Sequence, residues 1–366
     1  MTVPQTLARK ARIHLPQAGA FVDWLLQHWR DEGIDVSQPQ AGTLLLALAD
    51  VGTARLQQTS ASGIDCLLQP VAPRMGELMQ LSLAEHLAEF ADQMDWVEGS
   101  WELVWEGDAP LATSRLQVMH VLSNQALSPR MRRIRLAAGD ISAFAAGGLH
   151  VRMLLPEPGQ APAWPTLADG NRLHWPAGKP ALARRTYTIS AMDPEAAWLE
   201  VDALLHHGTG HADPHMAGPG AVWAASAEPG SEVGVLSPAG GMVPQAPHCV
   251  LVADACALPA AARIAQARRA YPSTTVLLWV SDAQEQAALS PAFAGMHVTW
   301  LRGGVPGASQ LEIAQVLQWL ALQDWHQHDT VLWVAGGLPL TQAVRRSVAR
   351  LPPLVQIKSL VHTYWR

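Results

Sequence analysis

The chain has 366 residues, a formal net charge of −6, and 49% hydrophobic against 15% charged residues. That length exceeds what one small core uses and predicts two or three domains. The mild acidity argues against a nucleic-acid or anionic-membrane binder, and three cysteines with no CxxC pair argue against a zinc or iron–sulfur framework.

The N-terminus, MTVPQTLARKARIHLP, has no apolar signal core, and no run of about 18 apolar residues occurs anywhere. With the low cysteine count, this predicts a cytoplasmic protein without a membrane span. Oligomeric state is not readable from the chain.

Residues 1–107 read as a small α+β unit. Phe21, Trp24, Leu25 and His28 recur at helical spacing, with Gly33 as the stop. Two or three strands follow in TLLLALAD, TARLQQTS and IDCLLQPV. A second helix is predicted over 75–95, with Leu83, Leu87, Phe90 and Met94 on one face. The segment from Glu106 to Pro110 reads as a linker.

Residues 111–245 are rich in strand candidates: LQVMHVL, MRRIRLA, LHVRMLL, RTYTIS, WLEVDALL and EVGVLSP. Frequent Pro and Gly between them predict a closed antiparallel β-barrel. The Pro-rich segment 156–180 reads as an excursion before RTYTIS. Residues 248–366 alternate strand and helix, which predicts a parallel α/β sheet. Helices are expected over 258–271 and 309–322. In such a sheet ligands sit beyond the carboxyl ends of strands. Those ends are Ala253-Asp254, Arg302-Gly303-Gly304 and Ala335-Gly336-Gly337.

The densest chemistry lies in Arg184–Ser190. Arg185, Tyr187 and Thr188 place a fixed cation, a flat phenol and a small hydroxyl within four residues. Strand alternation sends Arg185 and Tyr187 to one face and Thr188 to the other. A guanidinium suits a pyrophosphate, an aromatic face suits a flat heterocycle, and a hydroxyl can bond a ring nitrogen. The same residues also suit an ordinary strand.

Further segments carry a resemblance. Val201–Gly208 (VDALLHHG), Gly218–Ala224 (GPGAVWA), Pro229-Gly230, Ser237–Gly241, Asp254–Ala260 (DACALPA), Trp333–Gly337 (WVAGG) and Tyr364-Trp365-Arg366 occur in order. Together with RTYT and the His150-Val151-Arg152 strand ending near Pro156, the set resembles the siderophore-interacting proteins. These are FAD-dependent ferric-siderophore reductases of ferredoxin-reductase-like build. The resemblance covers roughly 113–366.

It implies a β-barrel FAD-binding domain, an α/β NAD(P)H-binding domain, and hydride transfer from NADPH or NADH to FAD. Electrons would pass on to a ferric siderophore or other ferric chelate, releasing Fe(II). It also implies roles for individual residues. Arg185 would neutralise FAD phosphate, Tyr187 would pack on the isoalloxazine, and Thr188 would face its reactive nitrogen edge, making Tyr187 and Thr188 the catalytic pair. Ser190, His207 and Gly208 would also touch the dinucleotide. Gly220 and Ala221 would bring backbone N–H groups to the pyrophosphate, whereas Trp223 is expected to pack the following helix. Asp254, Ala335, Gly336 and Gly337 would border the nicotinamide nucleotide, and Tyr364 and Trp365 would cover the flavin. Arg302 and Arg366 are the candidate cations for an anionic chelate.

The chain departs from the family pattern at several places. Ser190 stands for a second Arg, Ala253-Asp254-Ala255-Cys256 for GDET, Gly337 for Glu and Thr363 for Gly. These positions belong to the expected flavin-phosphate and nicotinamide contacts. Two alternatives follow: a non-catalytic siderophore- or flavin-binding protein with a degenerate site, or a general flavin or ferric reductase. The cluster His206, His207, His211, Asp213 and His215 is broken by Gly208, Gly210 and Pro214, so no helical ligand face exists and no metal site is expected. A loop over the adenine side of FAD is expected there instead. The N-terminal unit resembles a small domain of unknown role found in iron-related contexts, through Glu85–Ala91. His86 is expected on a helix face, without chemistry.

Overall fold

The structure is a computed structural model. It describes residues 7–31, 34, 36–48, 51–94, 96, 100–106, 115–141, 144, 148–168, 172–176, 182–205, 218–237, 241, 243–303, 310–323, 325, 329–348, 350 and 357–365. Compactness divides the chain into two units, 1–116 with 163–179, and 117–162 with 180–366.

In the first unit, β1 (Arg9–His14), β2 (Val36–Gln40), β3 (Thr43–Leu48), β4 (Gly52–Gln58), β5 (Gly63–Pro70) and β6 (Glu102–Trp105) form one antiparallel sheet in the order β2-β3-β4-β5-β1-β6. Alternation along β1 buries Ala11 and Ile13 and exposes Lys10 and Arg12, as in a sheet wet on one face. Helices α1 (Ala18–Asp31) and α2 (Pro73–Gln93) share a core with the buried face, built on Phe21, Leu25, Leu44, Leu56, Leu87 and Phe90. The sequence reading missed β1 and β2, whose alternate positions are charged or polar, and β6, which is only four residues long. Met94, expected on the α2 face, lies past the helix end and is exposed. His86 lies edge-on to Trp24, Trp29 and His28, in packing contacts.

A hairpin, β10 (Thr166–Ala168) with β11 (Arg172–His174), lies inside the Pro-rich excursion and groups with this unit.

The second unit begins with a closed six-stranded barrel. It contains β7 (Arg115–Ser128), β8 (Met131–Ala137), β9 (His150–Leu155), β12 (Ala183–Asp193), β13 (Trp198–Leu204) and β14 (Glu232–Ser237), in the order β12-β13-β8-β7-β14-β9. Its interior holds Met119, Val121, Ile134, Leu136, Val151, Met153, Leu199 and Val201. Helix α3 (Pro219–Ser226) adds Trp223 and Ala224 to that core. Trp223 is 3% exposed and packs from α3 into the barrel core, where the sequence reading had it pack a following helix.

A five-stranded parallel sheet follows, with β15 (His248–Ala253), β16 (Ser273–Val280), β17 (His297–Arg302), β18 (Thr330–Gly337) and β19 (Lys358–Trp365) in the order β17-β16-β15-β18-β19. Its helices are α4 (Leu258–Ala267), α5 (Ala283–Leu289), α6 (Gln310–Ala321) and α7 (Leu338–Val348). Apolar clusters on the two sheet faces explain why every residue of β18 is buried. The chain runs outward from β15 to β17, then returns to β18 on the other side of β15. The topological switch point, where such sheets place ligands, therefore lies at the carboxyl ends of β15 and β18. Arg263 on α4 ties this layer to the barrel: its Nη1 donates to the carbonyls of Leu149 (3.1 Å) and Ile189 (3.2 Å). Among the described residues no helix is long and apolar enough to cross a membrane.

Candidate functional site

Strand β12 pairs with β9 so that Tyr187 sits opposite Val151, Arg185 opposite Met153, Thr186 opposite Arg152 and Thr188 opposite His150. Directly opposed residues share a face. Arg185 and Tyr187 therefore belong to the side of the apolar barrel residues, while Thr186 and Thr188 share the outer side with His150 and Arg152. The separation predicted from alternation is present.

On the first side, Tyr187 meets the start of α3. A Cβ on Gly220 would lie 2.6 Å from Tyr187 Oη and 3.6 Å from Arg185 Cγ. Only glycine lets the phenol come this close. The Tyr187 ring lies 6.2 Å from that of Trp223. Burial pushes its hydroxyl up to about 12, against the pull of Arg185, so it stays protonated. Helix α3 begins at Gly218 without a side-chain cap and has no acidic residue in its first turn. Arg185 is exposed, and its Nη1 donates to the Arg184 carbonyl at 2.7 Å. Three donors thus lie together, with no carboxylate paired to them among the described residues: a guanidinium, a phenol that makes no hydrogen bond there, and a helix N-terminus. This donor set fits the phosphates of a dinucleotide. Ala221 is buried in the same turn, and its N–H is spent on the Gly218 carbonyl at 3.0 Å.

On the outer side, Thr188 is 5% exposed, and its Oγ1 lies 3.2 Å from His150 Nδ1. The other ring nitrogen, Nε2, lies 2.9 Å from Tyr364 Oη. Burial, then His362 and Arg263, holds the His150 imidazole down to about 3. Burial also raises the Tyr364 phenol well above its ordinary range. His150 and Tyr364 are therefore both neutral near pH 7.

The switch point is arranged differently. Asp254 is 0% exposed. Its Oδ2 accepts from the Gly337 N–H (2.7 Å) and from Trp365 Nε1 (2.9 Å), and its Oδ1 accepts from the Cys256 N–H (3.0 Å). Burial raises its carboxyl despite these donors. A Cβ on Gly337 would lie 2.6 Å from Trp365 Cζ2, so the indole fills the space that a side chain at 337 would take. Gly336 has Asp254 Oδ2 just as near, and Ala335 is fully buried in β18. Asp254 and Gly337 thus hold the chain's own Trp365. Burial also raises the Cys256 thiol well above its usual range, which keeps it protonated.

The remaining expected residues scatter. Ser190 sits at a register shift of β12, and its hydroxyl donates to Asp202 Oδ1 at 3.2 Å. Asp202 in turn accepts both Nε (2.8 Å) and Nη2 (2.7 Å) of Arg133. Arg302 donates through Nε and Nη2 to Gln286 Oε1 at 2.9 and 2.7 Å. It lies on edge strand β17, four strand positions from β19, or about 19 Å. It does not join the barrel residues. His207, Gly208 and Arg366 lie outside the described residues, as do His206, His211, Asp213 and His215.

Sequence reasoning gave His150 and Arg152 no role. The signal was available only once β9 and β12 were paired, because Arg152, a half-buried cation, and His150 then fall beside Thr186 and Thr188.

Residues 120–242 match the model of the siderophore-interacting FAD-binding domain, and residues 246–366 that of the siderophore-interacting protein. The chain belongs to this family. It is 23% identical over 245 residues to ferric vibriobactin reductase ViuB of Vibrio cholerae, covering 66% of this chain and 85% of that protein. Among solved structures it is similar to a siderophore utilization protein from T. fusca, with 30% identity, a TM-score of 0.56, and coverage of 69% of this chain and 93% of that one. It is also similar to the siderophore-interacting protein SipS from Aeromonas hydrophila, with 27% identity, a TM-score of 0.53, and coverage of 69% and 92%.

Proposed function

We propose that this protein is an FAD-dependent ferric-siderophore reductase. In this reading residues 111–245 bind FAD, residues 248–366 receive NADPH or NADH, and residues 1–107 form an accessory domain. The observation that carries it is the convergence of Arg185, Tyr187 and the uncapped start of α3 behind Gly220, within the segment matched to an FAD-binding family.

Arg185 and the α3 turn hold the phosphates, and Tyr187 borders the ring system. Thr188 presents a hydroxyl on the opposite face of its strand. Bound FAD would supply two-electron uptake and one-electron release. The substrate is Fe(III) in a hard oxygen chelate, which holds Fe(II) far less well, so reduction frees the metal. No protein ligand to iron is needed. Arg152, on the outer face with Thr188, is better placed than Arg302 to attract an anionic chelate. The cytoplasm is the compartment where such release would serve the cell.

Purified protein tests this directly. Flavin absorbance near about 450 nm, or its appearance on adding FAD, is expected. Protein that stays colourless with excess FAD overturns the reading. Rates with NADH and NADPH separately identify the donor, and rates with a ferric siderophore against a simple ferric chelate separate this reading from a general ferric reductase.

One observation favours a second reading, a siderophore- or flavin-binding protein that does not use pyridine nucleotide. Trp365 packs into the space beside Gly337 at the switch point, and Asp254 accepts from it and from two backbone N–H groups. FAD binding without bleaching by either nucleotide would select this reading.

A further inference from the structure

The first unit, which has no chemistry assigned above, carries a cavity of about 280 Å³ on the wet face of its sheet, with Lys10, Arg55, Gln57, Asp65, Leu67 and Glu106 in its lining. Strand register brings these residues together. Leu67 on β5 lies directly opposite Lys10 on β1 and directly opposite Arg55 on β4. Opposed residues share a face, so a row runs Arg55, Leu67, Lys10. The Glu106 N–H donates to the Lys10 carbonyl at 2.8 Å, which sets Glu106 beyond Lys10, just past β6. Gln57 and Asp65 are opposed in the next row of β4 and β5. Their sequence neighbours Leu56 and Cys66 belong to the core on the other face, as does Ala11 beside Lys10.

The charges on this face are unevenly matched. Asp65 Oδ1 accepts from Arg12 Nε at 3.2 Å, a cross-strand ion pair. Arg55 Nη2 donates to a neutral group, Gln57 Oε1, at 2.8 Å. Among the described residues neither Arg55 nor Lys10 has a carboxylate at ion-pair distance. Two exposed cations thus flank a half-buried leucine, with backbones about 10 Å apart across two strand spacings. Like charges so placed repel, and an anion between them reverses the sign of the interaction. Leu67 offers the body of such an anion an apolar floor. Asp65 beside the row and Glu106 beyond its end oppose a second negative charge on the same ligand.

We propose that this cavity binds a small organic monocarboxylate, its carboxylate between Arg55 and Lys10 and its apolar body on Leu67. The site is built from the first unit alone and is independent of the flavin reading.

Fluorine NMR of para-fluorobenzoate with the full chain tests it. Saturable binding is expected with a Kd of about 1 mM or tighter, the range open to a ligand of this size. The neutral para-fluorobenzamide should bind at least about tenfold more weakly, and Arg55→Gln and Lys10→Gln should each weaken the benzoate about tenfold, as for one charge-assisted hydrogen bond. Arg55→Lys keeps the cation and should stay within about threefold of wild type, which separates loss of charge from damage to the sheet. Glu106→Gln should tighten binding by about twofold or more, because it removes a like charge from the rim. No saturable binding up to about 10 mM overturns the proposal. So does equal binding of the benzoate and the benzamide, or wild-type affinity in both Arg55→Gln and Lys10→Gln. A benzene dicarboxylate that displaces para-fluorobenzoate better than benzoate does overturns the choice of a monocarboxylate.

Discussion

The barrel and the parallel sheet each contribute a glycine that makes room, and they use the room in opposite ways. At Gly220 the space admits a phenol beside donors that are only partly used: Arg185 is exposed, with Nη1 on the Arg184 carbonyl, and α3 starts without a side-chain cap. At Gly337 the space is filled by Trp365, and the nearby carboxylate of Asp254 is satisfied by three N–H groups of the chain itself. A surplus of donors without acceptors marks a site awaiting an anion. A closed set of donors and acceptors marks a site already occupied by the fold. Fold-level reasoning treats both as ligand sites, and only the accounting of polar atoms separates them.

The contrast can be broken experimentally. Asp254→Ala removes the acceptor for the Gly337, Cys256 and Trp365 N–H groups, so a loss of about 3 kcal/mol or more is expected in urea unfolding. An unchanged midpoint would mean that the switch point is not held by Asp254. Arg185→Ala is expected to act on the ligand instead. FAD affinity should fall about 30-fold, as for a charge-assisted hydrogen bond, while stability moves by less than about 0.5 kcal/mol. Flavin fluorescence and thermal melting read the two effects separately.

Acid should sharpen the comparison further. His150 has a folded pKa of about 3 against an ordinary 6.5. The unfolded chain therefore binds the extra proton first, and stability falls on acidification through that window by up to about 1.4 kcal/mol per pH unit. Asp254, with its carboxyl raised by burial, runs the other way: its penalty grows as pH rises through its folded pKa. Urea midpoints across the window for wild type and His150→Asn should diverge most near neutral pH and converge toward pH 3. Parallel curves would rule out the His150 contribution.

Smaller effects come last. Gly337→Ala puts a methyl against the Trp365 indole and should cost about 1 kcal/mol, change tryptophan fluorescence, and raise pyridine-nucleotide affinity if Trp365 is what closes the switch point. Arg302→Ala, on the far edge strand and engaged with Gln286, should change ferric-siderophore reduction less than about twofold.

Much of the fold was legible because its signals are local. Alternation in RTYTIS, the strand–helix rhythm after residue 248 and the order of the family segments each depend on neighbours in sequence. Strands such as Arg9–His14 and Val36–Gln40 were not legible, because half-wet strands with polar or charged alternate positions carry little apolar pattern. In the site, Arg185 and Gly220 were named from sequence and do come together. Asp254 was also named, yet its burial and its bond to Trp365 depend on a residue 111 positions away.

By itself, then, the sequence determined the succession of a small α+β unit, a barrel and a parallel sheet, and the family to which the last two belong. It also determined the face on which each β12 side chain lies, since backbone geometry sets that alternation. The tertiary structure decided which polar atoms remain uncommitted. It joined Thr188 to Tyr364 through His150, turned Ser190 toward Asp202, seated Trp365 against Gly337, and left Arg302 four strands from the last strand. Hydrogen-bond satisfaction is a property of packed space, so residues far apart in the chain settle it together.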